Sequence, residues 1–369
     1  MVREVIETEA EFDGELAFEL TEGVVHLAQR QGRIEEAEAF IDLIEARHPA
    51  AVAEEAHWFG CWRTENALLL PSGDVLTPLV AWVPHVGKNV DFFEAMIDRL
   101  RFHNLADEAI AAVEKAWPVL RDDDNIIEPQ HWLLTPTVHM IIDRLLEKQR
   151  GLTPDDPSLW TALAPFLDGV DEERVRDDFR LRSACSPRGW HTSDFQKPAS
   201  AVKSLYALSL DFRDSLHRRW GFGLLRAELA RQVLTSALLA QEPVEHAPRR
   251  SPTRKSHGAG SSGFLLPNPA KLDEHLAALL GFMNVKYYHV AALALALFPW
   301  LSFLVEQGLV EPSQAYAMAG ELRKRLEPLP RVLDGYVYDP AMQRDLERML
   351  HDSARRSADS PPEACLGAP

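Results

Sequence analysis

A chain of 369 residues with 46% hydrophobic and 26% charged residues has the composition of an ordinary globular protein, with room for one large core or two to three smaller ones. Its net charge of −17 disfavours nonspecific binding to nucleic acid or anionic membranes, and residues 1–60 set fifteen acids against only Arg3, Arg30, Arg33 and Arg47. Cys61, Cys185 and Cys365 are too few and too widely spaced for a disulfide framework, which fits a reducing cytoplasm.

The acidic opening MVREVIETEAEFDGE has no apolar core and does not read as a signal peptide. Apolar residues then recur at three- and four-residue steps along most of the chain, which predicts helices throughout. In GRIEEAEAFIDLIEARHP, residues 32–49, Gly32 opens a turn, Ala37 is a small contact residue, Ile41 and Ile44 continue a buried stripe, and Pro49 ends the helix. Phe18, Thr21, Val24, Val25 and Ala28 mark the packing side of a preceding helix. The pattern returns in VDFFEAMIDRLRFHNLADEAIAAVEKAWP, residues 90–118. There Asn104 takes the turn, Ala109 the small contact, Val113 and Ala116 the apolar pair, and Phe93, Met96, Ile97 and Leu100 the first-helix stripe. Residues 52–84 leave room for a degenerate pair with a boundary near Pro71–Asp74, and NALLLPSG within them for a brief extended piece.

These two segments, about 18–49 and 90–121, resemble tetratricopeptide repeats in their turn residue, small alanine and following apolar pair. Neither has the aromatic or glycine usual in the first helix, and Arg121 stands where the second would have its closing proline. The resemblance implies an all-α fold, a right-handed α-α solenoid over 1–150 that continues into a helical C-terminal region. It also implies a concave groove lined by the second, fifth, ninth and twelfth residues of each first helix. Those positions are Glu19, Glu22, His26 and Gln29 in one repeat and Asp91, Glu94, Asp98 and Arg101 in the other. Five of the eight are acids, so a basic or extended segment is the ligand such a groove would take.

Downstream, helices are expected at Pro129–Leu134, at Thr135–Lys148 with Thr135 as cap, and, after a boundary near 151–158, through further hairpins to 241. Residues 242–270 change character. EPVEHAPRRSPTRKSHGAGSSG has no apolar period and reads as a flexible loop, basic at Arg249, Arg250, Arg254 and Lys255 and then rich in Gly and Ser. Its RRSPTRK stretch is one candidate occupant for the acidic groove. A C-terminal helical bundle is expected over 271–352, built on the apolar stretch Val290–Val305, and a disordered tail over 353–369. That apolar stretch is short for a membrane span, and a buried core helix is the expectation.

Chemical motifs are scarce. Gly258, Gly260 and Gly263 form G-x-G-x-x-G, but RRSPTRKSH is no strand before them, and Pro267 and Pro269 obstruct a helix after them. His57 and Cys61 share a helical spacing without a second ligand pair, so no metal site is expected. No cofactor and no catalytic residue is nominated. The expected function is non-catalytic protein–protein interaction or scaffolding in the cytoplasm, with another protein or peptide as partner and neither membrane nor nucleic acid. Two rivals stay open: an enzyme with an unrecognised helical active site, and a helical nucleic-acid-binding regulator using the arginine–aromatic mixture FRDSLHRRWGFGLLR.

Overall fold

The computed structural model describes residues 13–359, apart from 72, 89, 124–125, 127–129, 150, 168–169, 184–188, 196–197, 242–264 and 282–285. Among the described residues every regular element is a helix and there is no strand. The extended reading of NALLLPSG is corrected, since Asn66–Leu69 complete a helix. The basic loop with Arg249, Arg250, Arg254 and Lys255, and the three glycines of the G-x-G-x-x-G, lie outside the described residues. The chain forms two units. The first is Met1–Leu100 with Leu105–Val175, and the second is Arg101–Asn104 with Arg176–Pro369.

In the first unit, α1 (Gly14–Arg30) and α2 (Ile34–Arg47) pack as a hairpin. Asp13 caps α1, its Oδ1 accepting the Leu16 N–H at 3.0 Å. The hairpin turns on Gly32, whose φ of +69° only glycine adopts without strain, and the Arg33 N–H then reaches back to the Ala28 carbonyl at 2.8 Å. The same closure follows α6 (Val90–Phe102) before α7 (Ala106–Arg121): Asn104 has φ 63°, and the Leu105 N–H donates to the Leu100 carbonyl at 2.8 Å. Ala37, Ile41 and Ile44 are fully buried, as are Ala109, Val113 and Ala116. The two sequence segments therefore share turn, small contact and stripe.

Between them stand α3 (Pro49–Glu54), α4 (Ala56–Leu69) and α5 (Leu76–Trp82), with a 3-10 turn at Val83–Lys88. Pro49 does more than end α2, since it occupies the first turn of α3, where its missing N–H costs nothing. Helices α4 and α5 meet at Gly60, where an added Cβ would lie 2.6 Å from the Cβ of the buried Trp82. Trp82 has no room to retreat, so Gly60→Ala is expected to lower stability by about 1–3 kcal/mol. An unchanged urea midpoint would contradict this close approach. Helix α8 (Thr135–Lys148) grows directly out of a π turn at Gln130–Leu134, and α9 (Pro157–Leu163) follows, capped by Asp156. Thr135 is not a cap: Leu134 precedes α8 with helical backbone, and the Thr135 hydroxyl donates instead to the Gln130 carbonyl at 3.5 Å.

The second unit holds α10 (Glu172–Ser183, from Arg176 onward), α11 (Pro198–Trp220), α12 (Leu224–Leu239), α13 (Pro269–Leu279), α14 (Tyr287–Glu306), α15 (Pro312–Leu326), α16 (Leu329–Tyr336) and α17 (Pro340–Asp359). Helices α11, α12, α13, α15 and α17 all pack on α14. In the most apolar part of α14, 83% of the residues are buried inside the protein, so its hydropathy is that of a core helix. Trp300 anchors the packing. Its ring meets Phe212 edge-on at 5.0 Å, and its Nε1 donates to the Leu265 carbonyl at 2.9 Å.

A buried charge network joins α10, α11 and α12. Glu228 accepts from Arg182 at 2.7 Å, from Arg231 at 2.7 and 2.8 Å, and from Gln232 at 3.0 Å, while Arg213 lies 3.9 Å away. Burial opposes its charge, yet the Arg182 and Arg231 guanidiniums outweigh that cost and hold the carboxyl well below its ordinary range. Arg231 also donates to Ser209 and lies over the Tyr206 ring at 5.1 Å.

Residues Arg101–Asn104 are clasped by the rest of this unit. Arg101 donates to Gln232, the Phe102 carbonyl accepts from Arg226 at 2.6 Å, and His103 Nε2 lies 2.6 Å from Asp339 Oδ2. The Asn104 Oδ1 accepts the Leu225 N–H at 2.9 Å and so caps α12 from a distant segment. Its side chain fills the space a Cβ at Gly223 would need. Asn104→Gly keeps the left-handed turn and loses the cap, for an expected cost of about 1 kcal/mol. Asn104→Ala loses both, for about 2–3 kcal/mol. Equal unfolding midpoints for the two variants would show that the backbone conformation contributes nothing.

Candidate binding face of the first unit

Helices α4 and α6 run parallel and meet through side chains in a register of 34 residues. The Trp58 and Phe92 rings meet edge to face at 4.4 Å, Arg99 donates to Glu65 at 3.1 Å, and Lys88 donates to the Glu54 carbonyl at 3.0 Å, each pair 34 residues apart. Helix α1 also runs parallel to α4. Phe18 contacts Trp58 and Trp62 at 5.0 and 5.7 Å, and Gln29 donates to Asn66 at 2.8 Å farther along both helices.

These contacts make a seam of rings across three helices. Phe18, Trp58 and Phe92 are each half-buried, with one part against the core and one toward solvent, while Trp62 and Phe59 beneath them are buried. Several carboxylates lie close to these rings in sequence. Glu15 and Glu22 lie one turn before and after Phe18 on α1, Asp91 adjoins Phe92, and Glu55 precedes α4. His57, 5.3 Å from the Trp58 ring, has its pKa lowered by burial and by the nearby Lys88 and His85 charges, partly offset by Glu55.

The eight residues assigned to a groove by repeat register divide in two. Glu19, His26 and Asp91 are exposed, and Glu22 and Glu94 are half-buried. Gln29, Asp98 and Arg101 are buried, with Gln29 engaged on Asn66 and Arg101 belonging to the second unit. Counting along the helices missed the ring seam, because Phe18 reads as an inward packing residue and Trp58 falls in the segment without a clear repeat. The spacing of Trp58 to Phe92, equal to that of Glu65 to Arg99, is the sequence signal that finds it.

Beneath the seam a polar relay fixes α1, α2 and α4. Asn66 passes from Gln29 to Glu38 at 2.6 Å, and Arg63 binds Glu38, Asp42 and Glu45 at 2.6 to 2.7 Å. Burial works against the Arg63 charge, but the bonds to Glu45 and Asp42 raise its pKa well above the ordinary value, so the clamp stays cationic.

Cys61 is buried, and burial together with the Glu65 charge pushes its thiol far up, which makes it a poor nucleophile. No group of three or more metal-ligating side chains gathers among the described residues. In the second unit His103, Asp339 and Tyr288 converge, the Tyr288 hydroxyl donating to Asp339 Oδ2 at 3.0 Å. The other Asp339 oxygen caps α17, accepting the Ala341 and Met342 N–H groups at 3.1 and 3.0 Å. Compared with models of protein families, with curated proteins and with solved structures, the chain finds no match.

Proposed function

We propose that this chain is a non-catalytic interaction protein of the reducing cytoplasm. Its first unit is a short right-handed solenoid of tetratricopeptide-like helix pairs, and its ring-and-carboxylate face takes up an extended segment of a partner protein. The observation that carries the reading is the 34-residue register. Two pairs of residues that far apart touch between the parallel helices α4 and α6 and a third joins the residues just before them, which is what stacking of like helical pairs produces. Rings left half-exposed in a row, with carboxylates close to them in sequence, are the raw material of a recognition surface.

An array of overlapping peptides from cytoplasmic proteins, probed with the full chain, tests it. A minority of peptides is expected to be retained, and Trp58→Ala is expected to lower that retention at least tenfold. An array that retains nothing, or retention indifferent to Trp58, would sink the reading.

A further inference from the structure

Helix α1 carries a second apolar stripe, which the fold leaves partly uncovered. Leu16, Leu20, Gly23 and Leu27 follow one another at steps of four, three and four residues, the spacing of a two-helix seam. At about 100° of turn per residue, the stripe lies on roughly the opposite side of α1 from Phe18 and the ring seam. Leu16 and Leu20 are half-buried. Leu27, 58% exposed, is the most exposed large apolar side chain among the described residues. Above Gly23 the space is open, since an added Cβ would meet nothing within 4 Å. On α2, the bonds of Glu38, Asp42 and Glu45 to Arg63 mark the side turned toward α4. Phe40 and Leu43 stand half-buried on the other flank, so both helices of the hairpin are apolar on the side away from α4.

The charges on α1 identify an occupant for this stripe. One flank carries Glu15 and Glu19 near its start and His26 and Arg30 near its end, all exposed. Two such helices laid antiparallel set acids against bases, whereas a parallel pair sets like on like. The apolar register agrees. Antiparallel pairing puts Leu16 of one helix against Leu27 of the other, and Leu20 against Gly23, whose open surface receives the larger side chain. A parallel pair would oppose Gly23 to Gly23 and leave a gap. We infer that the occupant is a second copy of this chain, the two α1 helices meeting antiparallel across a two-fold axis. Glu19 of each copy then faces His26 of the other.

Sedimentation equilibrium of the full chain tests this, and twice the chain mass is expected. Leu27→Glu is expected to weaken the dimer at least about tenfold, because it sets a carboxylate of each copy against leucines. Leu27 is exposed in the single chain, so the variant keeps the fold, and an unchanged urea midpoint checks that. Glu19→Lys is expected to weaken association about tenfold, and adding His26→Glu to bring it back to within about threefold of the native chain. Both positions are exposed, so neither change touches the core. A monomeric full chain overturns the inference, whatever else covers the stripe, residues 1–12 included. A dimer indifferent to Leu27→Glu overturns it by moving the contact to another face. A charge exchange that restores nothing overturns the antiparallel arrangement. Peptide capture through Trp58 uses the opposite side of α1, so the array decides the scaffold reading independently.

Discussion

Glu228→Gln is expected to lower the stability of the second unit by about 3–5 kcal/mol, measured as a shift of the urea unfolding midpoint. The amide keeps the shape of the side chain and removes its charge. Arg182, Arg213 and Arg231, all buried, then lose the carboxylate they share. A buried cation deprived of its counter-charge is far costlier than a missing surface pair. The pH dependence has a definite sign. The Glu228 carboxyl titrates lower in the folded chain than when unfolded, so its stabilisation is complete above about pH 4.3 and is lost as pH falls below that, through the folded value. The native chain should therefore lose stability more steeply between pH 5 and pH 3 than the glutamine variant. Parallel acid limbs would show that the network is energetically idle.

The second large effect is expected at Trp300. Replacing it with alanine removes a side chain that has no exposed surface and empties the centre of α14, at an expected cost of about 3–5 kcal/mol. The lost bond to the Leu265 carbonyl adds an unpartnered acceptor to the cavity. Trp300→Phe keeps most of the ring packing and should cost less than half as much. A thermal melt in which both variants fall equally would place the loss in the hydrogen bond instead of the cavity.

Much of the helical architecture was legible in the residues. Gly32 and Asn104 were recognisable as turn residues because few side chains tolerate a positive φ, and both adopt one. The stripe through Ala37, Ile41 and Ile44 followed from helical periodicity alone. Helix α16 does not stand out in the sequence, where Pro328 and Pro330 flank its first residue, although proline is at home in a first turn. Helix α17 runs on to Asp359, past the Ser353 limit expected for ordered chain. The candidate face was less legible than the fold. Helix counting placed Gln29 and Asp98 in a groove, but tertiary packing buries both, and periodicity within one helix carries no information about which neighbour covers it. The unit boundary was hidden for the same reason, because Arg101–Asn104 look like an ordinary helix end until their distant partners are known.

That four-residue segment has a consequence for how the molecule is made. The partners of Asn104, Phe102 and His103 lie 121, 124 and 236 residues farther along the chain. On a ribosome working from the N-terminus, α6 emerges long before α12 or α17 exists to receive its end. The second unit cannot close until synthesis is nearly complete, and closing it means bridging one of the longest loops in the protein. A fragment that starts at Arg176 would have to fold with α12 uncapped and Asp339 deprived of its imidazole. The two units are thus distinct in space but not separable as pieces of chain.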